Sequence, residues 1–241
     1  MMKKLDGKTA IITGGSGGLG KSVVNIFLEH GANVICTYHK EEELKLFTPL
    51  MDNYPNSVVI VKGNVTKEKS IVKIVNNAVK RFKTIDILIN IVGGFTKGDI
   101  TETSIYDFEA MIDMNLKSTF ICSKSVIPQM IVQKHGKIIN VAAKPAINGA
   151  SGVSAYAASK AGVLNLTKSL AEEVLKHNIN VNAIIPGTID TEANRLAMPK
   201  AKHKNWVKPE EIAKVMMFLA TEDSDPISGA AIPVYGKSYL S

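Results

Sequence analysis

The chain has 241 residues, 45% hydrophobic and 21% charged, with 29 Lys and Arg against 22 Asp and Glu for a net charge of +7. A chain of this length buries about 70–75% of the surface it exposes when unfolded, so a large core is available and global disorder is excluded. No apolar run reaches the ~20 residues that span a bilayer, the opening Met1-Met2-Lys3-Lys4-Leu5-Asp6-Gly7-Lys8 carries no apolar signal stretch, and Gly and Pro follow no repeat.

In chain order, Thr9 to Thr13 reads as a buried strand, followed by a glycine-rich turn and an amphipathic helix with Leu19, Val23, Ile26 and Phe27 on one face. Asn33 to Thr37 and Ser57 to Val61 are the next two strands. Ile71, Ile74, Val75, Ala78 and Phe82 recur at helical spacing. Then come a strand from Ile85 to Asn90, a long helix around Phe108 to Gln133 and a strand from Lys137 to Val141. A helix from about Ala155 to Lys176 leads into strand Asn180 to Ile185. A last helix, Pro209 to Leu219, precedes a strand near Ala231 to Val234. Near-continuous apolar strands alternating with helices predict a parallel sheet covered on both faces. Right-handed crossovers make it an α/β, Rossmann-type doubly wound parallel sheet of about seven strands. With no linker or repeat, residues 1–241 are expected to form a single domain. The irregular stretch from Gly187 to Lys208 has the length of a lid or binding loop, giving a substrate lid around 188–208.

The lysines are spread along the chain and aromatics are 6% of residues, without the stacking motif of an RNA-binding sheet. Neither nucleic acid nor a membrane is an expected partner, and the positive balance is read as a solvated surface that can steer an anionic ligand. Cys36 and Cys122 lie in apolar stretches and read as small buried hydrophobes. His30-Gly31 and His135-Gly136 resemble helix ends, and no histidine spacing suggests a metal. The expected location is cytoplasmic.

Strand one ends in Thr13-Gly14-Gly15-Ser16-Gly17-Gly18-Leu19-Gly20 and runs straight into a helix. Glycines there allow a tight turn and close approach of a pyrophosphate, and a helix N-terminus adds N–H donors and partial positive charge. The spacing is Gly-x-x-x-Gly-x-Gly, with no Gly-Lys-Ser/Thr of a Walker loop. The turn is either a plain strand–helix joint or a dinucleotide site; its position between a buried strand and an amphipathic helix favours the dinucleotide. At the tip of strand two, Thr37-Tyr38-His39-Lys40 holds no acid to accept from a ribose 2′-hydroxyl. His39 and Lys40 are either loop residues or partners for a 2′-phosphate, which leans the cofactor towards NADP rather than NAD.

Tyr156-Ala157-Ala158-Ser159-Lys160 places a phenol and an ammonium on one helix face. Such a pair is usually two surface residues. Here Thr13 to Gly20, Asn90-Ile91-Val92-Gly93, Asn115, Tyr156 with Lys160, and Pro186-Gly187-Thr188-Ile189-Asp190-Thr191 together resemble the short-chain dehydrogenase/reductases across essentially the whole chain. The resemblance implies that Tyr156 is the general acid/base, that Lys160 lowers its pKa and holds the nicotinamide ribose, and that Asn115 holds a water of the proton relay. It also implies a cofactor site from Gly14, Ser16, Gly18, Leu19, Gly20, His39, Asn64, Val65, Asn90, Gly93, Tyr156, Lys160, Pro186, Gly187, Thr188 and Ile189. The last strand resembles one that packs on a second subunit, so a homotetramer or dimer is expected.

The chain departs from the family at Ala143, thirteen residues before Tyr156, where a serine normally orients the substrate carbonyl. Ala143-Lys144, the segment from Ile189 to Pro199, and Trp206 resemble the dihydropteridine reductase branch, which works without that serine. The substrate pocket is expected at Ala143, Lys144 and Ser151. The leading expectation is hydride transfer between NAD(P)H and a carbonyl or C=N substrate, a quinonoid dihydropteridine among them. The alternatives are a ketone reductase of the 3-oxoacyl-(acyl-carrier-protein) type and, in another class, a non-catalytic redox sensor.

Overall fold

Strand β1, Thr9–Thr13, is buried on both sides, as a strand roofed by helices above and below must be. In the computed structural model, which describes residues 3–237, it is the third strand in the order of one seven-stranded parallel sheet. Met1 and Met2 of the N-terminal reading, and residues 238–241 of the expected domain span, lie outside the described residues.

The other strands are β2 (Asn33–Tyr38), β3 (Val58–Lys62), β4 (Ile87–Asn90), β5 (Gly136–Val141), β6 (Ile179–Pro186) and β7 (Ala231–Val234), in the order β3-β2-β1-β4-β5-β6-β7. The order reverses between β1 and β4, which opens the switch point where α/β sheets bind ligands at their carboxyl ends. Register aligns Thr13 with Asn90 and Asn90 with Asn140 along that edge.

Helices α1 (Gly18–Glu29) and α9 (Pro209–Leu219) cover one face, where Phe27, Val23, Ile212 and Met216 join Ile12, Val34 and Ile89 in one core. On the other face α3 (Glu68–Phe82), α5 (Ser118–Gln133) and α7 (Ser154–Val174) pack Ile74, Val126, Met130 and Leu170 against Ile11, Ile35, Leu88 and Ile138. Between them run the short helices α2 (Thr48–Asn53), α4 (Ile105–Met111), α6 (Pro145–Asn148) and α8 (Glu192–Ala197). Both cysteines are buried in these cores, and burial pushes each thiol up to about 12. Among the described residues no helix is long and apolar enough to cross a membrane.

Four expectations need correction. The long helix begins at Ile105 rather than near Phe108, because Ser104 caps it by accepting from the Asp107 amide. It is also interrupted by a π-turn over Ile112–Lys117 before α5. The stretch expected to be irregular holds α8, capped by Thr191 accepting from the Asn194 amide, and a 3-10 turn at His203–Asn205. The helix before β5 ends not at His135-Gly136 but at Lys134, which takes the left-handed conformation with φ 59°. Gly136 is already in the strand, and His135 instead meets Asp86 at 2.6 Å.

Candidate active site

The turn after β1 closes on itself through the Gly17 amide donating to the Gly14 carbonyl at 3.1 Å. Gly14 sits at φ +70°, a conformation L side chains rarely adopt. A Cβ at Gly20 would run into the backbone of Gly14 and Gly15, so the first turn of α1 can press against the strand only without one. The residue that precedes α1, Gly17, supplies no side-chain cap, leaving the first amides of the helix available to an anion. Beside them opens a cavity of about 710 Å³ lined by Gly14, Ser16, Gly18, Leu19, Gly20, His39, Asn64, Val65 and Gly93 among others. This volume and glycine cradle fit a dinucleotide, whose sites run to several hundred Å³.

At the far end of the cavity Asn64 holds its loop by accepting from Thr66 N at 2.9 Å and Thr66 Oγ1 at 2.7 Å, while Val65 is buried beneath it. His39 is exposed at the rim, and Lys40 lies outside the lining. Asn90 is turned away into the sheet: its Nδ2 donates to Asn140 Oδ1 at 2.8 Å, and Asn140 donates to Thr167 Oγ1 at 2.9 Å. Sequence reasoning missed Glu43, Tyr106, Glu109, Asp113 and Met114 on the cavity wall. Glu43 belongs to a run of three glutamates that reads as a solvated surface; no spacing marks the one that turns inward.

The other predicted residues gather at the carboxyl ends of β4, β5 and β6. Tyr156 and Lys160 occupy the first two turns of α7. Lys160 is 5% exposed and donates from Nζ to the Val141 carbonyl at 2.8 Å. Asn115, in the π-turn, is fully buried: Oδ1 accepts from the Gly94 amide at 3.0 Å, and Nδ2 donates to the Gly94 carbonyl at 3.1 Å and to Ser159 Oγ at 3.0 Å. The π-turn therefore joins the loop after β4 to α7, one residue before Lys160. A side chain on Gly93 would collide with Asn115 Oδ1 and crowd Lys160 Nζ, so these groups are close neighbours. Phe95 stands edge-on to Tyr156 with ring centroids 5.0 Å apart, and remains 64% exposed.

Burial acts on the pair in opposite directions. Desolvation penalises the phenolate and raises Tyr156 to about 12, and it penalises the ammonium and lowers Lys160 to about 8. Bringing a phenol from there to neutrality asks for about 7 kcal/mol of differential interaction. The Lys160 ammonium, four residues on along the same helix, is the kind of source that supplies part of it.

Ala143 is buried at the end of β5, and no hydroxyl occupies its position. Lys144 is exposed, with its ammonium 5.4 Å from the centre of the Tyr235 ring. Ser151 is exposed in a loop tied to residue 98 by the Gly98 amide donating to the Gly152 carbonyl at 2.9 Å. After Pro186, Gly187 donates to the Val234 carbonyl at 3.0 Å, while Thr188 and Ile189 pair with Val207. The segment from 188 to 208 thus closes into a loop pinned at its base. Within it Asp190 and Arg195 form a two-pronged ion pair at 2.5 and 2.8 Å, which holds the Asp190 carboxyl below its ordinary range. No group of three or more His, Cys, Asp or Glu among the described residues is arranged to hold a metal.

Residues 8–202 match the family model described as short chain dehydrogenase. The chain is 35% identical over 241 residues to the 3-oxoacyl-(acyl-carrier-protein) reductase FabG of Thermotoga maritima, covering 97% of this chain and 98% of that protein. It is 34% identical over 239 residues to the like-named protein of Chlamydia trachomatis serovar D, covering 95% and 96%. Among solved structures, the short-chain dehydrogenase/reductase SDR:Glucose/ribitol dehydrogenase of Brucella melitensis superimposes with a TM-score of 0.87 at 28% identity, covering all of both chains.

Proposed function

We infer, because this chain belongs to the short-chain dehydrogenase/reductase family and is an NAD(P)-dependent oxidoreductase, that it reduces the ketone of a 3-oxoacyl thioester. The observation that carries the substrate class is the near-complete coverage of relatives that bear that name. This reading takes precedence over the quinonoid dihydropteridine expected from the lid and Ala143. A net charge of +7 suits a thioester carried on an acidic protein.

In this reading the glycine-rich turn and the start of α1 hold the pyrophosphate, Asn64 and Val65 flank the adenine, and Gly93 with residues 186–189 border the nicotinamide. The bound cofactor supplies the hydride. Tyr156 gives its phenolic proton to the substrate oxygen, and Lys160 stabilises the phenolate left behind. Lys160 keeps its place through the Val141 carbonyl. Asn115 fixes the neighbouring loop and Ser159, and so holds α7 in register with the cofactor cavity. The pinned loop over 188–208 acts as the lid, and Phe95 forms an apolar wall beside the reacting oxygen.

The pterin reading keeps one supporting observation: Ala143 removes the hydroxyl that an isolated ketone uses, whereas a conjugated C=N system has less need of it. We read the chain as one catalytic domain, cytoplasmic, and working as a homotetramer or dimer. The exposed Ile105 and Phe120 along α4 and α5 support the assembly. The deciding experiment follows nicotinamide absorbance with a 3-oxoacyl thioester and a quinonoid dihydropterin offered in parallel, each with NADPH and NADH. Thioester turnover supports the proposal, and pterin turnover alone overturns its substrate. Tight cofactor binding with neither substrate turned over moves the protein to the sensor class.

A further inference from the structure

The cavity beside the glycine-rich turn carries an electrostatic bias opposite to that of the whole chain. The molecule has an excess of seven positive charges, yet the residues lining this cavity include Glu43, Glu109 and Asp113 and no lysine or arginine. Asp113 is partnered by Lys117 at 2.9 Å, outside the lining. Glu43 has no cationic partner among the described ion pairs.

Glu43 sits in the first turn of the 3-10 helix Glu41–Phe47, directly after β2. Its Oε2 accepts from Ser16 Oγ at 3.0 Å and from the His39 amide at 3.0 Å. Ser16 belongs to the turn that receives a pyrophosphate, and His39 follows the tip of β2, so the carboxylate bridges the two segments that flank an adenosine ribose. The Lys40 amide also donates to this carboxylate. Partial burial works against ionisation, but the bonds from the His39 amide, the Ser16 hydroxyl and the Lys40 amide outweigh it and hold the carboxyl below its ordinary range.

Neither Lys62 nor Lys40 lines the cavity. Lys62, at the end of β3 and in register with Tyr38, is bound to Glu41 at 2.5 Å. Lys40 is exposed and off the cavity wall, which leaves His39 as the single basic side chain in the lining.

We propose that Glu43 makes this chain select a dinucleotide whose adenosine ribose bears a free 2′-hydroxyl: its carboxylate accepts from that hydroxyl and repels a 2′-phosphate. The proposal rests on the reading of the cavity as a nicotinamide dinucleotide site, and it replaces the lean towards NADP that the missing acid at the tip of β2 suggests.

The test is calorimetric titration of the full chain with NADH and NADPH, wild type beside Glu43→Gln, with folding checked by circular dichroism. Wild type is expected to bind NADH at least about tenfold more tightly. Glu43→Gln is expected to collapse that ratio, chiefly by strengthening NADPH. A carboxylate that merely braced the loop would weaken both dinucleotides alike, and that result overturns the proposal. So does wild-type binding of NADPH as tightly as NADH, which leaves the dinucleotide site itself standing. Binding of neither overturns both readings. Should the variant fail to fold, displacement of bound NADH from wild type by 5′-AMP against its 2′-phosphorylated form measures the same discrimination. Preference for the phosphorylated form sinks the proposal.

Discussion

Lys160 donates to the carbonyl oxygen of Val141 at 2.8 Å, tying the last residue of β5 to the second turn of α7. That bond leaves a buried cation only partly compensated, which is why its pKa falls from 10.5 to about 8. Below pH 8 the lysine is charged in both folded and unfolded chains, and the folded state bears the full penalty of about 3 kcal/mol. As pH climbs from 8 towards 10.5 the folded chain releases the proton before the unfolded one, and the penalty is relieved. Lys160→Met, which cannot charge, should therefore gain stability over wild type most at neutral pH. The difference should shrink by about 3 kcal/mol towards the alkaline end. Urea unfolding of both proteins across that range checks it, and a gap independent of pH would contradict the burial argument.

Tyr156→Phe separates proton transfer from binding. The phenol is held neutral by burial, at about 12, and its ring packs edge-on against Phe95, a contact phenylalanine keeps. Turnover with whichever substrate is active should fall by about 10²–10⁴-fold. The dissociation constant for the dinucleotide should move by no more than about twofold. An equal loss in binding and turnover would place Tyr156 in the scaffold instead of the chemistry.

What the sequence discloses divides along physical lines. Seven apolar runs announce seven strands because a parallel sheet covered on both faces needs them, and Tyr156 with Lys160 is visible because helical neighbours four apart share a face. The π-turn at Ile112–Lys117 leaves no mark, since one extra residue per turn does not disturb the apolar rhythm on either side. Asn90 and Asn115 look alike on paper, yet one is spent on Asn140 within the sheet and the other on Gly94 and Ser159 beside the candidate site. Glu43 is hidden by its neighbours Glu41 and Glu42, both exposed; only the path of the chain after β2 decides which of the three faces the cavity.

Asp86 supports the opposite end of the sheet. It is 6% exposed, and its Oδ2 accepts from the Thr9 amide at 2.8 Å and from Thr84 Oγ1 at 2.9 Å, while Oδ1 meets His135 at 2.6 Å. Asp86→Ala leaves the first amide of β1 without its acceptor and removes the carboxylate that meets His135 Nε2. The cost of a buried donor left unpaired in this way is about 1–3 kcal/mol. Chemical denaturation should report a loss in that range, with the preference between NADH and NADPH unchanged because the cavity lies at the other end of the strands.

Ala143→Ser tests what the departure at β5 means. Ala143 is 7% exposed, and Val141, two residues earlier, carries the carbonyl that fixes Lys160. A hydroxyl at that point adds a donor where charge develops on a substrate oxygen, and one such donor is worth about 10²–10³ in rate in other sites. If the natural substrate is a ketone, the serine variant should reduce the 3-oxoacyl thioester faster than wild type, by about tenfold or more. The gain should appear in kcat, since the donor acts on charge that forms in the transition state. If another group already supplies the missing bond, the new hydroxyl has nothing to add and only crowds a buried position, so the rate stays level or falls. A conjugated C=N substrate should be indifferent to the change. The ratio of the two substrates' rates, before and after the substitution, therefore reads out which electrophile this site is built to stabilise.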